Sequence, residues 1–79
     1  MDVTLYTRAG CHLCDDAKAT LIRARANADF TLHEIDIDSD PALRNLYNDE
    51  APVVLIDGKK AFKYTLTEGD FLKALAARS

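Results

Sequence analysis

Apolar residues recur along this chain with a period that switches repeatedly between two and about three and a half. Val3 to Tyr6 is a short β-rich run closed by Thr7-Arg8-Ala9-Gly10. A first strand is therefore predicted at about 2–6. From Cys11 the period lengthens. Cys14, Ala17, Leu21, Ala24 and Ala28 fall at steps of three and four, the stripe of an amphipathic helix at about 12–26. Asp15 and Asp16 sit in its first turn and Arg23 and Arg25 near its end, both favourable to the helix dipole. Phe30 to Asp38 reads as a strand with imperfect alternation. Phe30 and Leu32 share one parity, Ile35 and Ile37 the other, so either both faces are partly covered or the strand carries a bulge. Asp38-Ser39-Asp40-Pro41 combines capping side chains with a proline suited to the first helical position. It starts a short helix at about 41–48, with Ala42, Leu43, Leu46 and Tyr47 as its apolar side.

Asn48 to Ala51 is a polar break. Pro52 then opens Val53-Val54-Leu55-Ile56, a continuous apolar run of the buried-strand kind. Asp57-Gly58 is a hairpin signal. The partner strand at about 59–64 carries three lysines, which suits a sheet edge. Thr67 can cap a last helix, with Asp70 three residues on as a capping-box variant. Phe71, Leu72, Leu75 and Ala76 would form its buried stripe. The order β-α-β-α-β-β-α makes this an α/β chain. It has no linker, repeat or low-complexity segment.

At 79 residues the chain is long enough for one domain, 1–79. Its formal net charge of −3 is spread over mixed signs, which argues against a nucleic-acid partner, since that needs a basic face. No apolar run approaches the ~20 residues of a membrane span. Met1-Asp2-Val3-Thr4 lacks signal-peptide character. The expected setting is cytoplasmic, where thiols stay mostly reduced, and the expected state is a monomer.

The two cysteines are Cys11 and Cys14. A bond between them closes too short a loop to stabilise the chain much through entropy. Their value would be chemical. Cys11-His12-Leu13-Cys14 follows a strand and opens a helix, the setting that gives this spacing meaning. Disulfide exchange needs a thiolate, and a free thiol has a pKa of about 8.5. At a helix N-terminus, free N–H groups and the dipole favour an anion on Cys11. Arg8 and protonated His12 could add positive charge, while Asp15 and Asp16 oppose it from positions expected to face water. Cys14, one turn on, lies on the buried stripe. Cys11 would therefore attack and Cys14 resolve the mixed disulfide. Two other readings stand beside this one: a pair of structural cysteines, or a zinc site completed by His12 or His33. His12 has poor geometry to close on the same ion as both thiolates, and His33 reads as a surface or packing residue.

Across its whole length the chain resembles the glutaredoxins of the thioredoxin-fold superfamily, in particular a short bacterial glutaredoxin-like group. The residues that carry the likeness are Leu5-Tyr6-Thr7-Arg8-Ala9-Gly10-Cys11-His12-Leu13-Cys14, Ala51-Pro52-Val53-Val54 and Asp57-Gly58. The resemblance implies a four-stranded mixed sheet of order 2-1-3-4 with helices on both faces. It implies a cis Ala51–Pro52 bond facing the cysteine pair, with Ala51, Pro52 and Val53 as a substrate-binding backbone. It matches Cys11 to the nucleophile and Cys14 to the resolving thiol. Arg8 matches a basic position that can meet a glutathione carboxylate. Tyr6 matches a frequent aromatic before the loop, though a packing role accounts for it equally. The implied activity is thiol–disulfide oxidoreduction on protein disulfides or glutathione mixed disulfides. A cellular reductant would restore the protein, with no bound cofactor and glutathione as a possible co-substrate.

The sequence departs from that pattern in two places. His12-Leu13 replaces the usual Pro-Tyr between the cysteines; a histidine beside the thiolate would stabilise the reduced form and make the disulfide more oxidising. Phe62-Lys63-Tyr64-Thr65-Leu66-Thr67-Glu68 lacks the Gly-Gly pair that lets glutathione approach the backbone, and Tyr64 is bulky there. Thr67 and Glu68 read as a helix start. These departures favour dithiol exchange over glutathione chemistry. They also count against a glutathione-dependent iron–sulfur or metal carrier, and leave a non-catalytic binding module as a further alternative.

Overall fold

Four strands and three helices follow the predicted order in the computed structural model, which describes residues 1–47 and 50–78. Strand β1 (Asp2–Thr7) leads to helix α1 (His12–Ala24), β2 (Thr31–Asp36) and a single 3₁₀ turn (Ile37–Ser39). Helix α2 (Pro41–Tyr47), the hairpin β3 (Val53–Ile56) and β4 (Lys59–Lys63), and helix α3 (Glu68–Arg78) complete the chain. The sheet order is β2-β1-β3-β4. β1 runs parallel to β2 and antiparallel to β3, and β3 runs antiparallel to β4.

The two-residue period of the strands sorts the core into two layers. Val3 and Leu5 of β1 with Val54 and Ile56 of β3 face α1 and α3, where Ala17, Leu21, Ala24, Phe71 and Leu75 close over them. The opposite parity, Tyr6 with Val53 and Leu55, packs with Ile37, Leu43 and Tyr47 on the α2 side. Helices therefore cover both faces. This explains the broken alternation around β2. Phe30 joins the first layer and Ile37 the second, while the β1–β2 register runs unbroken from Asp2↔Thr31 to Thr7↔Asp36. The bulge lies instead in β4, where Val54 pairs Phe62 but Leu55 pairs Lys60, leaving Ala61 extra.

Several boundaries differ from expectation for local reasons. β2 stops at Asp36 because that side chain accepts the Asp38 N–H at 2.9 Å and starts the 3₁₀ turn. α1 ends at Ala24, two residues early. α2 is described to Tyr47; the predicted end at residue 48 lies outside the described residues. Only Leu43 and Tyr47 of α2 turn inward, and Leu46 is 62% exposed, because so short a helix covers the sheet with one narrow stripe. On α3 the stripe is Phe71, Leu72, Ala74 and Leu75, whereas Ala76 is exposed. Thr67 caps α3 through its hydroxyl, which accepts the Asp70 N–H at 3.1 Å. The hairpin turns at Asp57 and Gly58, both with positive φ (51° and 84°), the backbone of a type I′ turn. β4 is an edge strand bearing Lys59, Lys60 and Lys63, a charge pattern that discourages edge-to-edge pairing. Among the described residues, no helix is long and apolar enough to cross a membrane.

Candidate active site

Sheet register brings three chain segments to one end of the molecule. Tyr6, near the C-terminal end of β1, pairs with Val53, the first residue of β3. Val53 in turn pairs with Lys63, the last residue of β4. The loop that leaves β1 toward Cys11, the Ala51-Pro52 segment and Tyr64 therefore share one end of the sheet. Neighbouring strands lie about 4.8 Å apart.

On the β1 side the loop reaches the helix through Gly10, whose φ of 74° falls where glycine is favoured. Cys11 is the N-cap of α1, with extended backbone (φ −98°, ψ 111°). Its Sγ accepts the Cys14 N–H at 3.2 Å, the contact that a capping oxygen usually makes. The sulfur of Cys11 thus sits where first-turn N–H groups and the helix dipole favour negative charge. Cys11 is partly exposed and Cys14 only 2% exposed; neither is disulfide-bonded. Burial pushes the Cys14 thiol from its ordinary value of 9.0 up to about 11. A side-chain hydrogen bond with Cys11 and the charges of Cys11 and Asp15 add to the rise, and a backbone hydrogen bond from Arg8 works against it.

Arg8 serves this region in two ways. Its backbone meets the Cys14 sulfur, while its guanidinium bonds Asp38 through Nε and Nη2, both at 3.4 Å. Arg44 Nε reaches the same carboxylate at 3.2 Å. Hydrogen bonding from Arg44, then from Arg8, holds the Asp38 carboxyl below its usual range. Arg8 is thus tied to the turn after β2, a partner that sequence reading did not suggest. His12 is exposed in the first turn of α1. Asp15 and Asp16 are also exposed, as expected, yet the charge of Asp15 still bears on Cys14. A polar cavity of about 340 Å³ reaches Cys14 between the β1–α1 loop and β2, with Asp15, Glu34 and Asp36 on its walls. Arg8 lines it as well, and Glu34 is paired with Lys18 at 3.1 Å, so its walls carry both signs of charge.

On the β3 side the Ala51–Pro52 peptide is cis. Pro52 is buried and its carbonyl accepts the Tyr64 N–H at 2.8 Å. Val53 is fully buried in the sheet and Ala51 partly buried against the α2-side cluster. Tyr6 is a packing residue in this structure: its ring stacks on Tyr47, centroids 4.8 Å apart. Glu50 bridges Lys60 at 3.1 Å and Lys63 at 3.4 Å, and these bonds, that of Lys60 first, hold its carboxyl below the usual range. Lys63 also lies 5.5 Å from the centroid of the Tyr64 ring. The Glu50–Lys63–Tyr64 chain was not legible in the sequence, because the pairing depends on the β3–β4 register. His33 pairs with Asp2 at 3.4 Å on the edge strand. Among the described residues, no group of three or more His, Cys, Asp or Glu side chains gathers as a metal site.

Known proteins give this arrangement a context. The profile of the Glutaredoxin-like domain (DUF836) matches residues 2–76. An uncharacterized protein of Mycobacterium tuberculosis, Rv0508, is 35% identical over 98% of this chain and 84% of its own length. A Dictyostelium discoideum protein named as a glutaredoxin-like YDR286C homolog is 33% identical over 86% of this chain and 68% of its own. The X-ray structure of a structural-genomics target, XcR50 from X. campestris, superposes with a TM-score of 0.79 at 33% identity, covering 95% of this chain and 96% of that one. Fasciola hepatica thioredoxin shares the fold at 14% identity, with a TM-score of 0.66 over 99% of this chain and 80% of that one. The chain belongs to the glutaredoxin-like family and has the thioredoxin fold.

Proposed function

We propose that this protein is a thiol–disulfide oxidoreductase in which Cys11 attacks and Cys14 resolves. The fold and family support a redox role in general. The observation that carries the specific reading is the asymmetry of the two thiols. One sulfur caps a helix at the surface, while the other is buried one turn inside with its proton held to about pH 11.

The Cys11 thiolate attacks one sulfur of a substrate disulfide. A Cys11–substrate disulfide forms, the substrate S–S bond breaks, and the leaving thiolate takes a proton from solvent. The Cys14 thiol then gives up its proton and its sulfur attacks Cys11. The Cys11–Cys14 disulfide forms and the second substrate sulfur leaves as a thiol. Two electrons pass from the dithiol to the substrate, and a thiol or dithiol reductant returns them. In this mechanism the raised value of Cys14 keeps the resolving sulfur protonated until the mixed disulfide has formed, so that Cys11 alone meets incoming disulfides. The main chain at Ala51, held by buried Pro52 and Val53, offers the substrate segment strand-like hydrogen bonds. Arg8 fixes the loop through Asp38. The test is reduction of a protein disulfide by wild type and by Cys11→Ser: turnover should vanish in the variant, and equal turnover would sink the assignment.

A further inference from the structure

The turn after β2 is built as an anchor. Asp36, the last residue of β2, pairs with Thr7 across the sheet. Its side chain accepts the Asp38 N–H at 2.9 Å, and its carbonyl accepts the Ser39 hydroxyl at 2.6 Å. The Asp38 carboxylate then holds two cations. Arg8 meets one oxygen through Nε and the other through Nη2, both at 3.4 Å, and Arg44 of α2 adds Nε at 3.2 Å. Partly exposed pairs of this kind contribute little to stability. A guanidinium bound at two points is instead fixed in place. The residue so fixed is the first after β1, and its main-chain N–H donates to the Cys14 sulfur. Arg8 and Cys14 also line the same cavity.

We infer that Asp38 is a positioning residue for the resolving step: by clamping the Arg8 guanidinium, it holds the Arg8 main-chain N–H on the Cys14 sulfur. This rests on the oxidoreductase reading and deepens it. When Cys14 gives up its proton to attack Cys11, negative charge forms on a buried sulfur. A hydrogen bond to a charged group is stronger than one to a neutral group, so the Arg8 N–H contributes most at that moment. Other charged groups border the same sulfur. They are Cys11 and Asp15 on α1 and, across the cavity, Glu34 and Asp36 on β2, with Lys18 of α1 paired to Glu34. The carboxylates among them disfavour a thiolate, and the Arg8 N–H works against them.

The experiment uses the full chain and one equivalent of the chromogenic disulfide dithiobis(nitrobenzoate). Attack by Cys11 releases one coloured thionitrobenzoate, and attack by Cys14 on the mixed disulfide releases the other. Stopped-flow absorbance separates the two phases, and the second, being intramolecular, does not depend on reagent concentration. Asp38→Ala and Arg8→Ala should both slow the second phase by about threefold and move its pH profile upward. About tenfold less thiolate is partly offset by the stronger nucleophilicity of a less acidic thiol. Asp38→Glu should recover much of the rate, and the Asp38→Ala/Arg8→Ala double variant should be no slower than either single one. Acting by charge alone, loss of the anion would favour the Cys14 thiolate and loss of the cation would disfavour it. Shifts of the second phase in opposite directions therefore overturn the inference, and so does a second phase unchanged in both variants. A second phase that survives Cys14→Ser would instead overturn the oxidoreductase reading itself.

Discussion

The two halves of the candidate site are built by different rules. On the α1 side, everything from Gly10 to Asp15 is local. The N-cap contact joins residues three apart, and one helical turn separates the surface thiol from the buried one. On the β3 side, Glu50, Pro52, Lys63 and Tyr64 meet only because β3 and β4 pair in one register. Local rules can place a reactive sulfur, since a helix N-terminus carries its own field. Fitting a substrate beside that sulfur requires a surface, and the surface is assembled from distant parts of the chain. The proposed exchange chemistry thus depends on the first half, and what it acts upon depends on the second.

The largest effects should come from separating the two thiols. Cys11→Ser should lower turnover on the order of a thousandfold or more, as removal of a covalent nucleophile does. Cys14→Ser should spare the first step and stall the second. Mass spectrometry of that variant after exposure to a disulfide substrate should find a stable adduct on Cys11. Recovery of both variants at wild-type turnover would erase the distinction between an attacking and a resolving sulfur.

A pH effect on stability should follow from Cys14 alone. Its folded value, about 11, lies above the ordinary 9.0, so folding favours the neutral thiol. The stabilisation is complete below pH 9 and is lost as pH rises from 9 to 11. It amounts to up to about 3 kcal/mol for a shift of this size. Urea unfolding of the reduced protein at pH 8 and pH 11 measures it. Cys14→Ala should flatten the Cys14 contribution, and so should oxidation to the disulfide, which leaves no thiol to titrate. A slope unchanged by both would assign the alkaline loss to other groups.

The same division decides what the sequence could tell. The strand–helix order, the buried place of Cys14 and the capping place of Cys11 are all short-range consequences of residue spacing. Helix stripes were legible in their centres but not at their margins. Leu46 and Ala76 have the right spacing yet lie exposed, because spacing defines a direction on a helix and the neighbouring layer decides how wide a stripe is covered. The broken alternation of β2 recorded two core layers rather than a bulge. The real bulge, at Ala61 in β4, left no mark that periodicity could read. Arg8 had the right charge for the site, but its partner Asp38 lies thirty residues away in sequence. Tyr64 was visible as a bulky residue; its left-handed backbone was not, since no sequence rule places a tyrosine there.

A smaller effect should come from Gly10. Among the described residues, a Cβ at this position would meet no atom within 4 Å beyond its own chain neighbours, so Gly10→Ala tests the backbone alone. Its φ of 74° should cost alanine about 1–2 kcal/mol. The cost appears as a lower urea midpoint, and Gly10→Asn, which accepts this region more readily, should recover part of it. Equal stability of the alanine variant would mean that the loop relaxes to another path into the helix.

The smallest effect should lie at Glu50, and its sign distinguishes an electrostatic strut from a packing one. Lys60 and Lys63 hold the Glu50 carboxyl below its usual range. The ion pairs thus stabilise the fold above the unfolded carboxyl's titration and lose that contribution as pH falls through the depressed folded value. Glu50→Gln should therefore melt slightly below wild type at pH 7. The gap should close on acidification below about pH 4, the ordinary glutamate range, and should shrink in high salt because these groups face solvent. Loosening this strut should leave the Cys11 chemistry alone. A melting gap that persists at low pH would mean that Glu50 works through packing.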